Sequence, residues 1–93
     1  MKPSEVLQKR GWYQGDFESE DGKVCLSMAI TLSIYDYEQE IAFNKKVKEF
    51  LWNVHPQHGH TCIASFNDCP EMTEDTILRA TKHAEQEVLN ETL

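Results

Sequence analysis

No apolar run in this 93-residue chain approaches the ~20 residues that a bilayer-spanning helix needs. The longest apolar-rich stretch, residues 24–35, is broken by Ser27, Thr31 and Ser33. The N-terminus, Met1-Lys2-Pro3-Ser4-Glu5, lacks the apolar core of an export signal. The expected compartment is the cytoplasm, and no membrane association is expected. No internal repeat, linker or low-complexity tract is present. Gly11, Gly15 and Gly22 are too dispersed to cradle a phosphate, and neither a nucleotide-binding fingerprint nor a Ser-His-Asp set occurs. Basic residues are scarce, 9 against 16 acids. The resulting net charge of −7 works against direct binding to DNA or RNA. Cysteine is limited to Cys25, Cys62 and Cys69. An odd number does not close a disulfide framework, and reduced thiols are expected.

What is present is ordinary globular composition. Hydrophobic residues at 40% and charged residues at 27% place the chain among folded domains, not disordered ones. Its length allows one domain, residues 1–93. Apolar periodicity predicts a mainly α fold: a small bundle of three longer helices plus one short N-terminal helix, with two irregular packed loops and one short segment read as extended. The short helix covers about residues 4–10, with Pro3 at its start and Gly11 as its stop. The second covers residues 23–34 and is apolar around most of its circumference, with Cys25, Ala29 and Leu32 on one face. The third covers residues 37–54, where Phe43, Val47, Phe50, Leu51 and Val54 recur with helical pitch. The fourth begins after Thr73, an N-cap followed by Glu74 and Asp75. Met72 and Ile77 are spaced as a hydrophobic staple. Ile77, Thr81, Ala84 and Val88 line its inner face, with Lys82, Glu85 and Glu87 expected in water. Residues 61–66 are read as extended and residues 67–70 as a turn.

Two segments carry a resemblance. The first is Gly11-Trp12-x-Gln14-Gly15-x-Phe17, followed by an acidic loop and Cys25-Leu-x-x-Ala29-Ile30. The second is Phe66-Asn67-Asp68-x-Pro70-x-x-Thr73-x-x-x-Ile77. In this order they resemble the DUF6197 family, a domain of unknown function found in bacteria and their phages. The resemblance spans the first helix to the last, implies the same fold boundaries and implies no activity. Ser27-Met28 stands where the family often has a glycine, and Phe66 where most members have tryptophan.

Three groups of side chains are candidates for chemistry. Trp12, Gln14, Asn67 and Asp68 come from the two motif segments and are expected to meet in one polar-aromatic corner, either a brace or a small ligand pocket. His55, His58, His60, Cys62 and Cys69 are dense in imidazole and thiol, the donors zinc prefers. A loop of solvated histidines is the first expectation, and a zinc site, the second, would take His58, His60, Cys62 and Cys69 as its four ligands. Cys62 or Cys69 beside His60 also satisfies the composition of a thiol nucleophile and base, though Asp68, Glu71 and Glu74 oppose a thiolate. Asp16, Glu18, Glu20 and Asp21 surround one loop but lack the oxygen ladder of a calcium site.

The function expected is that of a small acidic, non-enzymatic binding or regulatory protein, phage-encoded in one version, acting on a larger host protein. The alternative is a metal- or ligand-binding domain using His58, His60, Cys62 and Cys69, with zinc the cofactor. Self-association is a third expectation, because Phe43, Phe50 and Trp52 concentrate aromatics on one helix.

Overall fold

The computed structural model describes residues 1–56 and 60–89. Among these, five α-helices form the fold: α1 Pro3–Arg10, α2 Leu26–Ser33, α3 Tyr37–Val54, α4 Ile63–Asp68 and α5 Glu74–Ala84. A π-helical turn, Glu85–Leu89, continues α5. No β-strand occurs among the described residues, only isolated bridges from Val24 to Trp12 and Glu18.

Each long helix starts on a cap. The Asp36 carboxylate accepts from Gln39 N and starts α3, and the Thr73 side chain accepts from Thr76 N and starts α5. These side-chain acceptors satisfy amides that have no partner inside the helix. The stripe of α3 is then buried as its pitch demands: Phe43, Val47 and Leu51 are inaccessible. Ile77, Ala80 and Ala84 of α5 are equally buried and complete the seam along which α3 and α5 pack. Val54, expected on the same face as Leu51, is 44% exposed at the end of α3. Helix α1 lies against α2 and α5, while the short α4 bridges α2 and α3. The radius of gyration, 12.2 Å, is that of a compact globule of this length.

Three expectations are corrected. The second helix is shorter at its start, because Cys25 is its N-cap: the buried sulfur accepts from Met28 N at 3.3 Å. Residues 63–68 are helical, not extended, so Asn67 and Asp68 form the last turn of α4. Glu85, expected in water, is 5% exposed. Its carboxylate accepts from Ser4 N and Ser4 Oγ, both at 2.8 Å, and so caps the first turn of α1 from the far end of the chain. A negative group is favoured there by the helix dipole.

The loop between α1 and α2 is pinned at both ends. Gly11 ends α1 with φ of +95°, and a β-carbon there would stand 3.0 Å from the Lys23 side chain, so glycine serves both the turn and the approach. Val24 N donates to Gly11 O at 2.9 Å and Tyr13 N to Val24 O at 2.9 Å. This arrangement carries Trp12 and Gln14 toward α4.

Candidate functional site

The corner expected from the two motif segments is assembled around Asn67, which is 1% exposed. Asn67 Oδ1 accepts from Trp12 Nε1 at 2.6 Å and from Leu26 N at 3.0 Å. Its Nδ2 donates to Tyr13 O at 2.9 Å and to Asp68 Oδ1 at 3.0 Å. Gln14 Nε2 donates to the carbonyls of Asn67 and Cys69, at 3.0 and 2.8 Å. Asp68 Oδ1 also accepts from Gly15 N at 2.9 Å. One amide thus joins the start of α2, the end of α4 and the loop after α1. A buried polar group of this kind is tolerable because its donors and acceptors are matched.

The hydrogen bonds of this corner tie three separate parts of the chain together. A shallow cleft of about 180 Å³ lies beside it, lined by Gly15, Asp16, Phe17, Cys25, Ala64, Asn67 and Asp68. That is smaller than the ~300 Å³ at which small-molecule pockets begin. A larger, more polar and open cleft of about 370 Å³ runs between α2, α3 and α4, past Thr31, Glu40, Lys48 and Cys62.

The histidine–cysteine segment assembles differently from the spacing argument. Cys62 is exposed at the entrance to α4, its sulfur 3.2 Å from Ser65 Oγ. This hydrogen bond, first, and the local backbone amides hold its thiol below the ordinary range. His58 lies outside the described residues. Among the described residues, the side chains that converge are His55, His60 and Cys69, whose ligand atoms all lie within 4.8 Å of one another. His55 Nε2 is 3.2 Å from Cys69 Sγ. His55, which spacing places in the helix break and outside the four ligands, sits at the C-cap of α3 directly after Val54. Helix α4 is the reason Cys62 and Cys69 separate: it turns the first outward and delivers the second, 3% exposed, to the interior.

The remaining candidates take structural roles. Cys25 is buried at its cap position, and burial, ahead of the opposing amide contacts, pushes its thiol upward. In the acidic loop, Glu18 pairs with Arg10 at 3.2 Å, and Asp16 accepts from Phe17 N. Asp21 accepts from the Ser19 hydroxyl, the main cause holding its carboxyl below the usual range. Of the aromatics expected to drive self-association, Phe43 is core, Phe50 packs partly against it, and Trp52 is 43% exposed while donating to His60 O at 2.7 Å.

No curated protein and no solved structure matches this chain. A family described only as one of unknown function does match, over residues 3–87, a span that takes in both motif segments and every α-helix above. The chain therefore belongs to the DUF6197 family.

Proposed function

We propose that this domain is a non-enzymatic binding protein that acts on a larger protein of opposite charge in the cytoplasm of a bacterial or phage-infected cell. The observation that carries the reading is an aromatic strip where α2 passes into α3. Tyr35 is 90% exposed, Tyr37 75% and Ile41 51%, with Leu32 at the edge. Tyr37 and Ile41 share one face of α3, being four residues apart on a helix. Asp36, Glu38 and Glu40 alternate with them along the chain.

Tyrosine supplies large contact area with little side-chain entropy to lose, and is enriched at the centres of protein interfaces. Interleaved carboxylates select a basic partner and speed the encounter. The overall charge of −7 adds to that steering and opposes nucleic acid in the same place. The three free thiols suit a reducing compartment.

The test is a paired capture from bacterial lysate, with wild-type protein and a Tyr35→Ala/Tyr37→Ala variant of unchanged circular dichroism as baits. The expected result is a stoichiometric protein retained by the wild type, released by salt and missing with the variant. Identical captured sets, or no specific protein at micromolar bait, would overturn the reading.

A further inference from the structure

Three side chains with zinc-binding chemistry meet at the end of α3 remote from the tyrosine strip. This helix is 18 residues long, roughly 27 Å. His55 caps α3, its amide bonded to Leu51 O at 2.8 Å, and its side chain is buried. Cys69 caps α4 and is also buried. His60 lies between the two in sequence, and its ring stacks parallel to that of His55, with centroids 6.2 Å apart. Phe66 stands edge-on to both imidazoles, at 5.2 and 6.5 Å, and forms an apolar wall.

We propose that His55, His60 and Cys69 form a three-ligand site for a divalent transition metal, with zinc the ion that the donor set fits best. The spacing supports this. Zinc bonds of about 2.3 Å to sulfur and 2.0–2.1 Å to nitrogen place tetrahedral ligand atoms roughly 3.3–3.6 Å apart. The donors here stand within 4.8 Å of one another, and one pair is already at 3.2 Å. Closing on an ion needs shifts of about an ångström or less.

The backbone around the donors is anchored independently of any ion. Cys69 O accepts from Gln14 Nε2 at 2.8 Å and from Met72 N at 2.9 Å, while His60 O accepts from Trp52 Nε1 at 2.7 Å. Such outer contacts hold ligands in place before binding. On binding, the Cys69 thiol gives its proton to solvent and the thiolate sulfur donates an electron pair to the ion. Each neutral imidazole donates one nitrogen pair. Three protein ligands leave one tetrahedral position for water or a further donor. Cys62 takes no part, since it is exposed and paired with Ser65.

The experiment uses untagged full-length protein, stripped with chelator, kept reduced and titrated with Co²⁺ and then Zn²⁺. Stoichiometric binding is expected, with a near-ultraviolet thiolate-to-cobalt charge-transfer band that zinc abolishes by displacement. Cys69→Ser should remove the band, and Cys62→Ser should leave it. His60→Ala should weaken binding by at least the roughly 10–100-fold that loss of an outer-shell partner costs. Absence of the band in folded wild-type protein would overturn the proposal, as would its survival in Cys69→Ser or its loss in Cys62→Ser. Should Cys69→Ser fail to fold, His60→Ala decides the question, because His60 is only partly buried and belongs to no helix. None of these outcomes depends on the tyrosine strip.

Discussion

Replacing Asn67 with alanine should destabilise the domain by about 3–5 kcal/mol. The side chain makes four hydrogen bonds, and three of them end on groups with no other partner among the described residues: Trp12 Nε1, Leu26 N and Tyr13 O. Truncation strands all three. A buried orphan costs about 1–3 kcal/mol, more than the bond contributed while it was made. Leu26 is inaccessible, so its amide falls in the upper part of that range, while the indole and the Tyr13 carbonyl are partly buried and fall lower. Trp12→Phe is the calibrating variant. It deletes one donor and leaves Asn67 Oδ1 still accepting from Leu26 N, so its expected cost is about 1 kcal/mol. Asn67→Asp separates shape from donor capacity. It keeps the acceptor but turns an oxygen toward Tyr13 O and Asp68 Oδ1. That environment raises the introduced carboxyl above its unfolded value of roughly 3.9. The stability it retains is therefore fully present below that value, where the acid can donate, and is lost as pH rises through the folded pKa. Urea unfolding followed by circular dichroism reads all three variants, with an unchanged slope required for the comparison. A cost below about 1 kcal/mol for Asn67→Ala, or equal to that of Trp12→Phe, would refute the brace.

Two further predictions rest on other parts of the fold. Glu85→Ala should cost about 2–3 kcal/mol in the same urea assay, because it strips two charge-assisted hydrogen bonds from the start of α1. Ser4→Ala should cost about 1 kcal/mol, since the Ser4 amide keeps its carboxylate partner; equal costs would refute the cap. In native protein, iodoacetamide should modify Cys62 first and leave Cys25 and Cys69 until the domain unfolds. The Cys62 rate should begin to rise below the ordinary thiol range, and Ser65→Ala should shift that rise to higher pH; mass spectrometry with peptide mapping follows both.

The parts of this fold that were legible in the sequence are those in which a residue answers to near neighbours. Phe43, Val47 and Leu51 recur with helical pitch and are inaccessible, and Thr73 caps the amide three residues beyond it. The motif corner was legible for a different reason: Trp12, Gln14, Asn67 and Asp68 lie in the two segments that carry the family resemblance, and packing of those segments brings the four together. Where the reading failed, something distant or short decided the outcome. Residues 63–68 are too few to display a period, and an isolated helix that short does not hold in water. Here Trp12 and Gln14 grip its last turn across more than fifty residues of chain. Once that turn exists, Cys62 faces out and Cys69 faces in, where the His55 ring meets it. Glu85 shows the opposite weighting. It continues the buried Ile77 and Thr81 positions at four-residue spacing, so its place pointed inward while its charge pointed to water. Place prevailed because Ser4, 81 positions away, offers two donors at the one helix end where a carboxylate is welcome. In a core this small, a polar residue on an apolar stripe is better read as a demand for a distant partner than as the edge of the stripe.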